Sequence, residues 1–587
     1  MKLLRLKITD PEGFRSLQLG FEYHFRNPSH LHEHGFAPFV CAGPNGSGKS
    51  NLLEVLAAIF YHMECIYLDN LPDSFRFDEE NNPGGFDSKL SIPDGFEIEY
   101  LIHPQDSLKT KGHNGQAHVR ITKDPGESPK WFLLNHPDQE GVVGLTIGKT
   151  LAPQLLPEYI LGYSSGENEI LSLPFFKKRF VQFDEYWQVL RTQDTYDGQP
   201  ESHMVYLDSG FSQAILLCNL LFQNADVLTP FRQDIGIDEL KEFRIIIKRS
   251  ILITRQQAAA FTSGEYVLPS DTKAGQFEDN PAIYLDPENG DYRLNLLYGL
   301  DRDKRTSIIE KLKNCATCHF VDDETDTLYL DYLVNDATRG AFKENFDDEP
   351  IALFQAFQVL LTLNLYTVSD QLKADLYQSD SHYVSETVPT LASDERIMRF
   401  KFVKFSKVDI DEPAMLKSLS DGEHQLLHTL GLCLLFKNTQ SLFLLDEPET
   451  HFNPDWRANF ITRLRDSFDG SAGQEMLITT HTPFLISDSK PEKVLEFKKD
   501  KVTGEVSVNN PEYNTLGASI NKITMATFDK RETIGGHAQA ILEALRQRFE
   551  RGEDKRQIID ELNHQLGDSV EKVLLIKAVL DSMKEQG

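Results

Sequence analysis

Gly43-Pro44-Asn45-Gly46-Ser47-Gly48-Lys49-Ser50 is the stretch on which the reading of this chain turns. A short apolar run, 36–42, leads into it, and apolar residues at helical spacing follow (Leu52, Leu53, Val55, Leu56, Ile59, Phe60). Strand, glycine loop, helix is the setting in which G-x-x-x-x-G-K-[ST] binds phosphate. Glycines permit the tight nest whose amides surround the phosphates. In that reading Gly43, Pro44, Asn45, Gly46, Ser47, Gly48 and Asn51 form the cradle. Lys49 reaches the β- and γ-phosphates and Ser50 the Mg2+. The competing reading is an ordinary glycine turn beside a surface lysine.

Three later motifs bear on that choice. Ser441-Leu-Phe-Leu-Leu-Asp446-Glu447 is an apolar strand ending in two carboxylates. Asp446 would order Mg2+ through water, and Glu447 would polarise an attacking water as general base. Many strands end in Asp at a turn, but the continuation Pro448-Glu449-Thr450-His451-Phe452-Asn453-Pro454 makes the pattern specific. Leu419-Ser420-Asp421-Gly422-Glu423 opens an apolar helical run. Ser420 with Glu423 reads as a capping box, which any helix can carry. The same free helix N-terminus, with a serine hydroxyl and a glycine, also suits a γ-phosphate. Thr480-His481-Thr482-Pro483 ends another apolar run, with His481 placed 34 residues beyond Glu447 to sense that phosphate.

Taken in order, the four motifs resemble those of ABC-type ATPases. LSDGE, DEPETHFNP and TTHTPF are similar to the soluble branch that holds SMC and RecF-type proteins, the overcoming-lysogenization-defect nucleases and the ATPases of Septu and PARIS defence systems. The resemblance extends to restriction-system-associated ATPases of bacterial defence islands. Gly13-Phe-Arg15-Ser-Leu17 resembles the Asn-Phe-Arg-Ser strand near the start of that branch, which implies that Arg15 approaches nucleotide phosphate.

The resemblance implies an α/β P-loop NTPase head of ABC-ATPase type. Its mixed sheet would carry an antiparallel β subdomain, a large mainly helical insertion and a helical C-terminal tail. The corresponding segments are 1–170, 171–400, 401–500 and 501–587. It also implies ATP and Mg2+ as cofactors and a composite site. Lys49, Ser50 and Asp446 of one protomer would hold ATP, and Ser420 and Gly422 of the other would cap its γ-phosphate. The chain would then be a homodimer or higher homo-oligomer, an ATPase acting with a separately encoded effector. A Q-loop glutamine is not evident, and Ser165, Glu167 or Asn168 would stand in for it. No nuclease signature accompanies the ATPase motifs.

Lys and Arg number 60 against 90 Asp and Glu, a net charge of −30. Non-specific nucleic-acid binding draws on Lys and Arg neutralising phosphates, so the balance argues against DNA binding over the whole surface. A repair ATPase of the RecF or SMC kind, the rival reading, would need a local basic groove. The modest basic clusters are Lys241–Arg255 and Arg546–Arg556. A transporter subunit fits less well, because the signature begins about 370 residues after the P-loop. No signal-peptide core or stretch of some 18–20 uninterrupted apolar residues is apparent, so a cytoplasmic, membrane-free protein is expected. The six cysteines do not suggest a disulfide scaffold. Cys315-Ala-Thr-Cys318-His319 matches a haem-attachment pattern and could be half of a zinc site, though no second CxxC or HxxxH completes four ligands; two ordinary reduced cysteines ending a helix are the simpler reading.

Strands are expected at 1–8, 14–25, 96–103, 117–123, 130–135, 158–163, 243–254 and 399–408. Helices are expected at 212–223, 305–314, 351–364, 536–550 and 568–584. The acidic run 322–349, with ten acids against two bases, reads as a solvated face.

Overall fold

The computed structural model describes residues 1–587 apart from 27–35, 69–70, 105–109, 111, 138–144, 149, 166–168, 170, 194–201, 209, 264–279, 287–289, 301–306, 381–383, 388–389, 409, 469–472, 529–533 and 585–587. The apolar runs before the motifs become the centre of a seven-stranded sheet. Its order is Val506–Asn509, Val494–Lys499, Phe39–Ala42, Glu475–Thr480, Ser441–Asp446, Tyr159–Ser164, Met204–Tyr206. All neighbours are parallel except the outermost pair, Val494–Lys499 with Val506–Asn509. Every residue of Phe39–Ala42, Ser441–Asp446, Glu475–Thr480 and Tyr159–Ser164 is buried. Strands covered on both faces read as continuous apolar runs rather than alternating ones.

Glu475–Thr480 lies between the P-loop strand and the strand bearing Asp446. The register places Thr479 opposite Cys41 on one side and Asp446 on the other. The helix Lys49–Ile66 follows the loop and buries Leu52, Leu53, Val55, Leu56, Ile59 and Phe60. A second, six-stranded antiparallel sheet runs Glu22–His24, Lys2–Ile8, Phe96–Ile102, Ala117–Lys123, Lys130–Leu133, Leu145–Thr146. The α/β class with an antiparallel β lobe is thus the architecture observed.

Residues 14–25 depart from the expected strand. Only Glu22–His24 pairs in the sheet, while Phe14 and Leu17 bridge each other across a turn. Gly13 (φ 71), Arg15 (φ 53) and Gly20 (φ 80) take left-handed backbone, which a strand does not accommodate.

The helix-rich stretch 171–400 also builds sheet. Cys318–Asp322, Thr327–Leu333 and Ile237–Lys248 join Met398–Lys407 and Ile410–Met415 in a five-stranded antiparallel sheet. The acidic run is therefore partly structural: Asp331 takes a bidentate pair from Arg244 at 2.6 and 2.8 Å. Pro350–Thr367 is long and apolar enough to cross a membrane, yet Leu353, Phe354, Phe357 and Leu360 are fully enclosed by the protein. It is a core helix packed on Ser212–Phe222. Three tail helices, Gly536–Glu550, Lys555–Gln565 and Val570–Lys584, close on a small core of their own around Leu542, Leu545, Ile558, Leu562 and Val579.

Candidate nucleotide site

The glycines are where the loop needs them. Gly43, Gly46 and Gly48 have φ of 151, 73 and 97. A Cβ on Gly43 would lie 2.4 Å from the Phe497 carbonyl oxygen, and one on Gly48 would lie 2.7 Å from Ser16 Oγ. Gly48 caps the helix Lys49–Ile66 with no side-chain acceptor on its first amides. A helix N-terminus left this way attracts anions. Lys49 is only 4% exposed. Its Nζ donates to the carbonyls of Gly43 at 3.0 Å and Pro44 at 3.1 Å. Burial holds its pKa below the usual lysine value, and Glu447 and Asp446 oppose that shift. Ser47 Oγ is buried without a partner among the described residues. The mouth is a cavity of about 270 Å3 lined by Asn45 to Asn51, Leu171 and His481.

Asp446, 3% exposed, collects hydroxyl groups. Ser50 Oγ donates to its Oδ1 at 2.8 Å and Thr479 Oγ1 to the same oxygen at 2.5 Å. Ser164 Oγ lies 3.4 Å from Oδ2. The three donors come from the helix and the two strands flanking Asp446, so the sheet order brings residues 164, 50, 446 and 479 to one point.

Glu447 leaves the strand end with φ 51. Its amide donates to Thr479 Oγ1 at 3.0 Å, and its Oε1 lies 2.7 Å from His481 Nε2. That hydrogen bond is the main cause holding the Glu447 carboxyl below its ordinary pKa. Beside this pair opens a cavity of about 580 Å3, lined by Pro44, Asn45, Glu447, His481, Pro483, Thr524 and Phe528. Thr524 and Phe528 belong to the tail, at and just after the helix Ile520–Thr527.

Glu449 was not singled out from the sequence. It is 3% exposed, accepts a hydrogen bond from Thr480 Oγ1, and leaves Oε2 without a partner among the described residues. Burial pushes its pKa up to about 7. Thr479 and Ser164 were also missed; their signal was a hydroxyl at or near the C-terminal end of each strand beside Asp446.

Ser420 and Gly422 do not line either cavity. The capping box is formed, with Glu423 N donating to Ser420 Oγ at 3.3 Å and Ser420 N to Glu423 Oε2 at 2.7 Å. Ser420 faces solvent at the start of the helix Asp421–Leu435, and a Cβ on Gly422 would lie 2.7 Å from the His451 carbonyl oxygen.

Arg15 is carried away from the P-loop mouth. Its Nε donates to Glu54 Oε1 at 3.0 Å, and its other end meets Asp380. The turn at 13–17 aims it there, and the Glu54 carboxylate, 5% exposed, supplies the counter-charge. Its neighbour Ser16 stands by the loop instead, donating to Asn51 Oδ1 at 2.6 Å. Ser165 donates its amide to the Asp446 carbonyl at 3.0 Å, while Glu167 and Asn168 lie outside the described residues. Cys315 is buried, Cys318 is exposed, and among the described residues no group of three or more His, Cys, Asp or Glu is placed to hold a metal.

Residues 347–487 match the family model described as "AAA domain, putative AbiEii toxin, Type IV TA system". The stretch takes in Leu419–Glu423, the strand end at Asp446–Glu447 and Thr480–Pro483. Protein ea59 of Escherichia phage lambda is 25% identical over 143 residues, 24% of this chain and 27% of that protein. The chain therefore matches about a quarter of that relative's length. Among solved structures, the SmcHead bound to the C-winged helix domain of ScpA aligns over 87% of this chain and 97% of that chain, at 10% identity and TM-score 0.31. The Smc head with an extended coiled coil bound to the C-terminal domain of ScpA, from Pyrococcus furiosus, aligns over 87% and 96%, at 11% identity and TM-score 0.31.

Proposed function

We propose that this chain is an ATPase of ABC type that binds Mg2+ and ATP at the P-loop and hydrolyses ATP in a homodimer. The carrying observation is the convergence of Ser50, Thr479 and Ser164 on the buried Asp446 carboxylate beside the Glu447–His481 pair. The residues fit the cofactors. Ser47 Oγ is orphaned, the first amides of the helix Lys49–Ile66 have no side-chain cap, and Lys49 is parked on loop carbonyls that a phosphate would replace. Ser50 and Asp446 together form an oxygen donor set of the kind Mg2+ accepts.

The cation, when bound, neutralises charge on the phosphates. The chain's own residues do the rest. Gly43 to Asn51 bind the phosphate chain, and Lys49 supplies the positive charge nearest its end. Glu447 orients a water and takes its proton, while His481 holds the Glu447 carboxylate in place. The exposed Ser420 and the half-buried Gly422, neither of which lines the P-loop cavity of its own chain, would meet the nucleotide of a second protomer. That requirement is why a dimer is part of the reading.

We place the ATPase in a bacterial anti-phage defence system, where its nucleotide state controls a separate effector in a reducing cytoplasm. The AAA-domain match bears the name of a toxin system, and the described cysteines are free thiols. Phosphate release from ATP with and without Mg2+, together with sedimentation of the Glu447→Gln chain, tests the core of the proposal. Wild-type turnover in Glu447→Gln, or no ATP-dependent dimer, would sink it. Copurification of a nuclease or toxin supports the defence role. Strong stimulation by linear duplex DNA would move the assignment to a RecF or SMC-like repair ATPase.

A further inference from the structure

On the other side of Asp446 from the P-loop lies a larger cavity, of about 650 Å3. It opens between the strand ends at Ser164 and Tyr206, the start of the helix Ser212–Phe222, the helix Asp421–Leu435 and the first residues of the strand Met398–Lys407. Apart from Ser164, whose hydroxyl reaches Asp446, none of its lining residues has a part in the ATPase reading. Its volume falls in the range of small-molecule sites, which are apolar clefts with a few convergent polar groups.

Those groups are present and lack partners. Tyr206 is 8% exposed, and its hydroxyl has no hydrogen-bond partner among the described residues. His428 Nε2 is buried and has no hydrogen-bond partner among the described residues. Burial drives the His428 pKa down to about 4, so the ring it presents is neutral. The Arg399 guanidinium and the Gln213 amide likewise have no partner among the described residues. Of these, His428 Nε2 is the buried atom, whereas Arg399 and Gln213 are half-buried and open to the cavity; a buried polar atom is almost always satisfied, by protein or by water, so the histidine calls for an explanation.

The charge favours an anion. Three guanidinium groups, Arg179, Arg396 and Arg399, line the cavity against two carboxylates, Glu169 and Asp208. Asp208 is committed to Arg179 at 2.8 Å. Arg179 is itself held between Phe176 and Phe211, with ring centroids at 4.4 and 4.5 Å. Among the described residues Arg399 is thus left without a carboxylate partner. The rings of Tyr206 and Phe400 and the side chains of Leu361 and Leu365 supply apolar wall for a flat organic body.

We propose that this cavity is a second ligand site, taking a small phosphate-bearing molecule with an aromatic ring, such as a nucleoside monophosphate. Arg399 and the Tyr206 hydroxyl bind its anionic end. Ser164 lies on the cavity wall and reaches Asp446 Oδ2 at 3.4 Å, so the ligand sits one side chain away from the P-loop site. Binding here does not depend on ATP turnover.

The full chain carrying Lys49→Ala, which disables the P-loop, is titrated calorimetrically with adenosine monophosphate, inorganic phosphate and adenosine. Adenosine monophosphate is expected to bind one equivalent per chain, with inorganic phosphate competing and adenosine failing to bind. Adding Arg399→Gln should weaken binding about tenfold or more, since charge-assisted hydrogen bonds are the strong ones. Tyr206→Phe, which keeps the packed ring, should weaken it less. Neither should move the melting temperature beyond a degree or two, because neither removes a protein contact. No binding of adenosine monophosphate at millimolar concentration, equal affinity in Arg399→Gln, or equal binding of adenosine overturns the proposal.

Discussion

His481 Nε2 and Glu447 Oε1 stand 2.7 Å apart, each on a side chain about one-third exposed, with His481 lining both cavities beside the P-loop and Glu447 the larger of them. The contact joins two strand ends separated by 34 residues and holds the carboxyl ionised. A hydrogen-bonded carboxylate is well placed but less basic, so the partner that fixes its position also limits its strength as a base.

Glu447→Gln retains the shape and a hydrogen bond to His481 but removes the basic oxygen. ATP turnover should fall about 100-fold or more, in keeping with loss of a general base. ATP affinity should be kept and the dimer should become long-lived. Stopped-flow phosphate release and sedimentation in ATP check both; a fall in affinity without a fall in turnover would contradict the assignment.

Thr479 is the residue the sequence reading passed over. Its hydroxyl donates to Asp446 and its oxygen accepts the Glu447 amide. Thr479→Val keeps the volume and loses both links. Turnover should drop about 10- to 100-fold with a raised Mg2+ requirement, as expected when a group supporting a metal ligand is removed. Ser50→Ala should raise the Mg2+ requirement further. Titration of Mg2+ against initial rate separates these effects from loss of ATP binding.

Glu449 makes stability pH-dependent in an unusual direction. Its folded pKa is raised from 4.5 to about 7. The folded state therefore holds a proton that the unfolded state releases between these values, and stability falls as pH rises across that window. The full shift corresponds to an effect on the order of 3 kcal/mol. Glu449→Gln, which cannot ionise, should gain melting temperature relative to wild type at pH 7.5 and show little difference at pH 4.5. Parallel scans at the two pH values decide it, and an unchanged gap between them would place the carboxyl's titration elsewhere.

Arg15 is expected to act on stability. Arg15→Ala leaves the buried Glu54 carboxyl without its cation, at a cost of about 1–3 kcal/mol. Glu54→Gln in the same chain should recover most of that, and KM for ATP should stay within twofold in both. A KM raised tenfold or more by Arg15→Ala would return this residue to the phosphate.

The Arg15 outcome shows where sequence reasoning stops. GFRSL reads as a strand by its apolar residues, yet the turn at Gly13 and Arg15 reverses the chain. The guanidinium then goes to a carboxylate that appears only when the helix Lys49–Ile66 is packed. Glu449 and Thr479 were hidden for the same reason. A glutamate in a Pro-Glu-Thr turn and a threonine at a strand end are unremarkable until the neighbouring strand is known.

The linear sequence by itself determined the loop, the two carboxylates, the histidine and the apolar strands that carry them. Each of these rests on local rules: glycine where φ is positive, apolar runs where strands are buried on both faces, Ser and Glu three apart at a helix start. Only the tertiary structure decided which strand lies beside which. Insertion of Glu475–Thr480 between the P-loop strand and the Asp446 strand lets Thr479 join Ser50 on one carboxylate. The larger cavity likewise depends on residues 164, 206, 399 and 428, which no local pattern relates. Strand order and cavity walls are set by contacts between distant segments, and those contacts leave no periodicity to read.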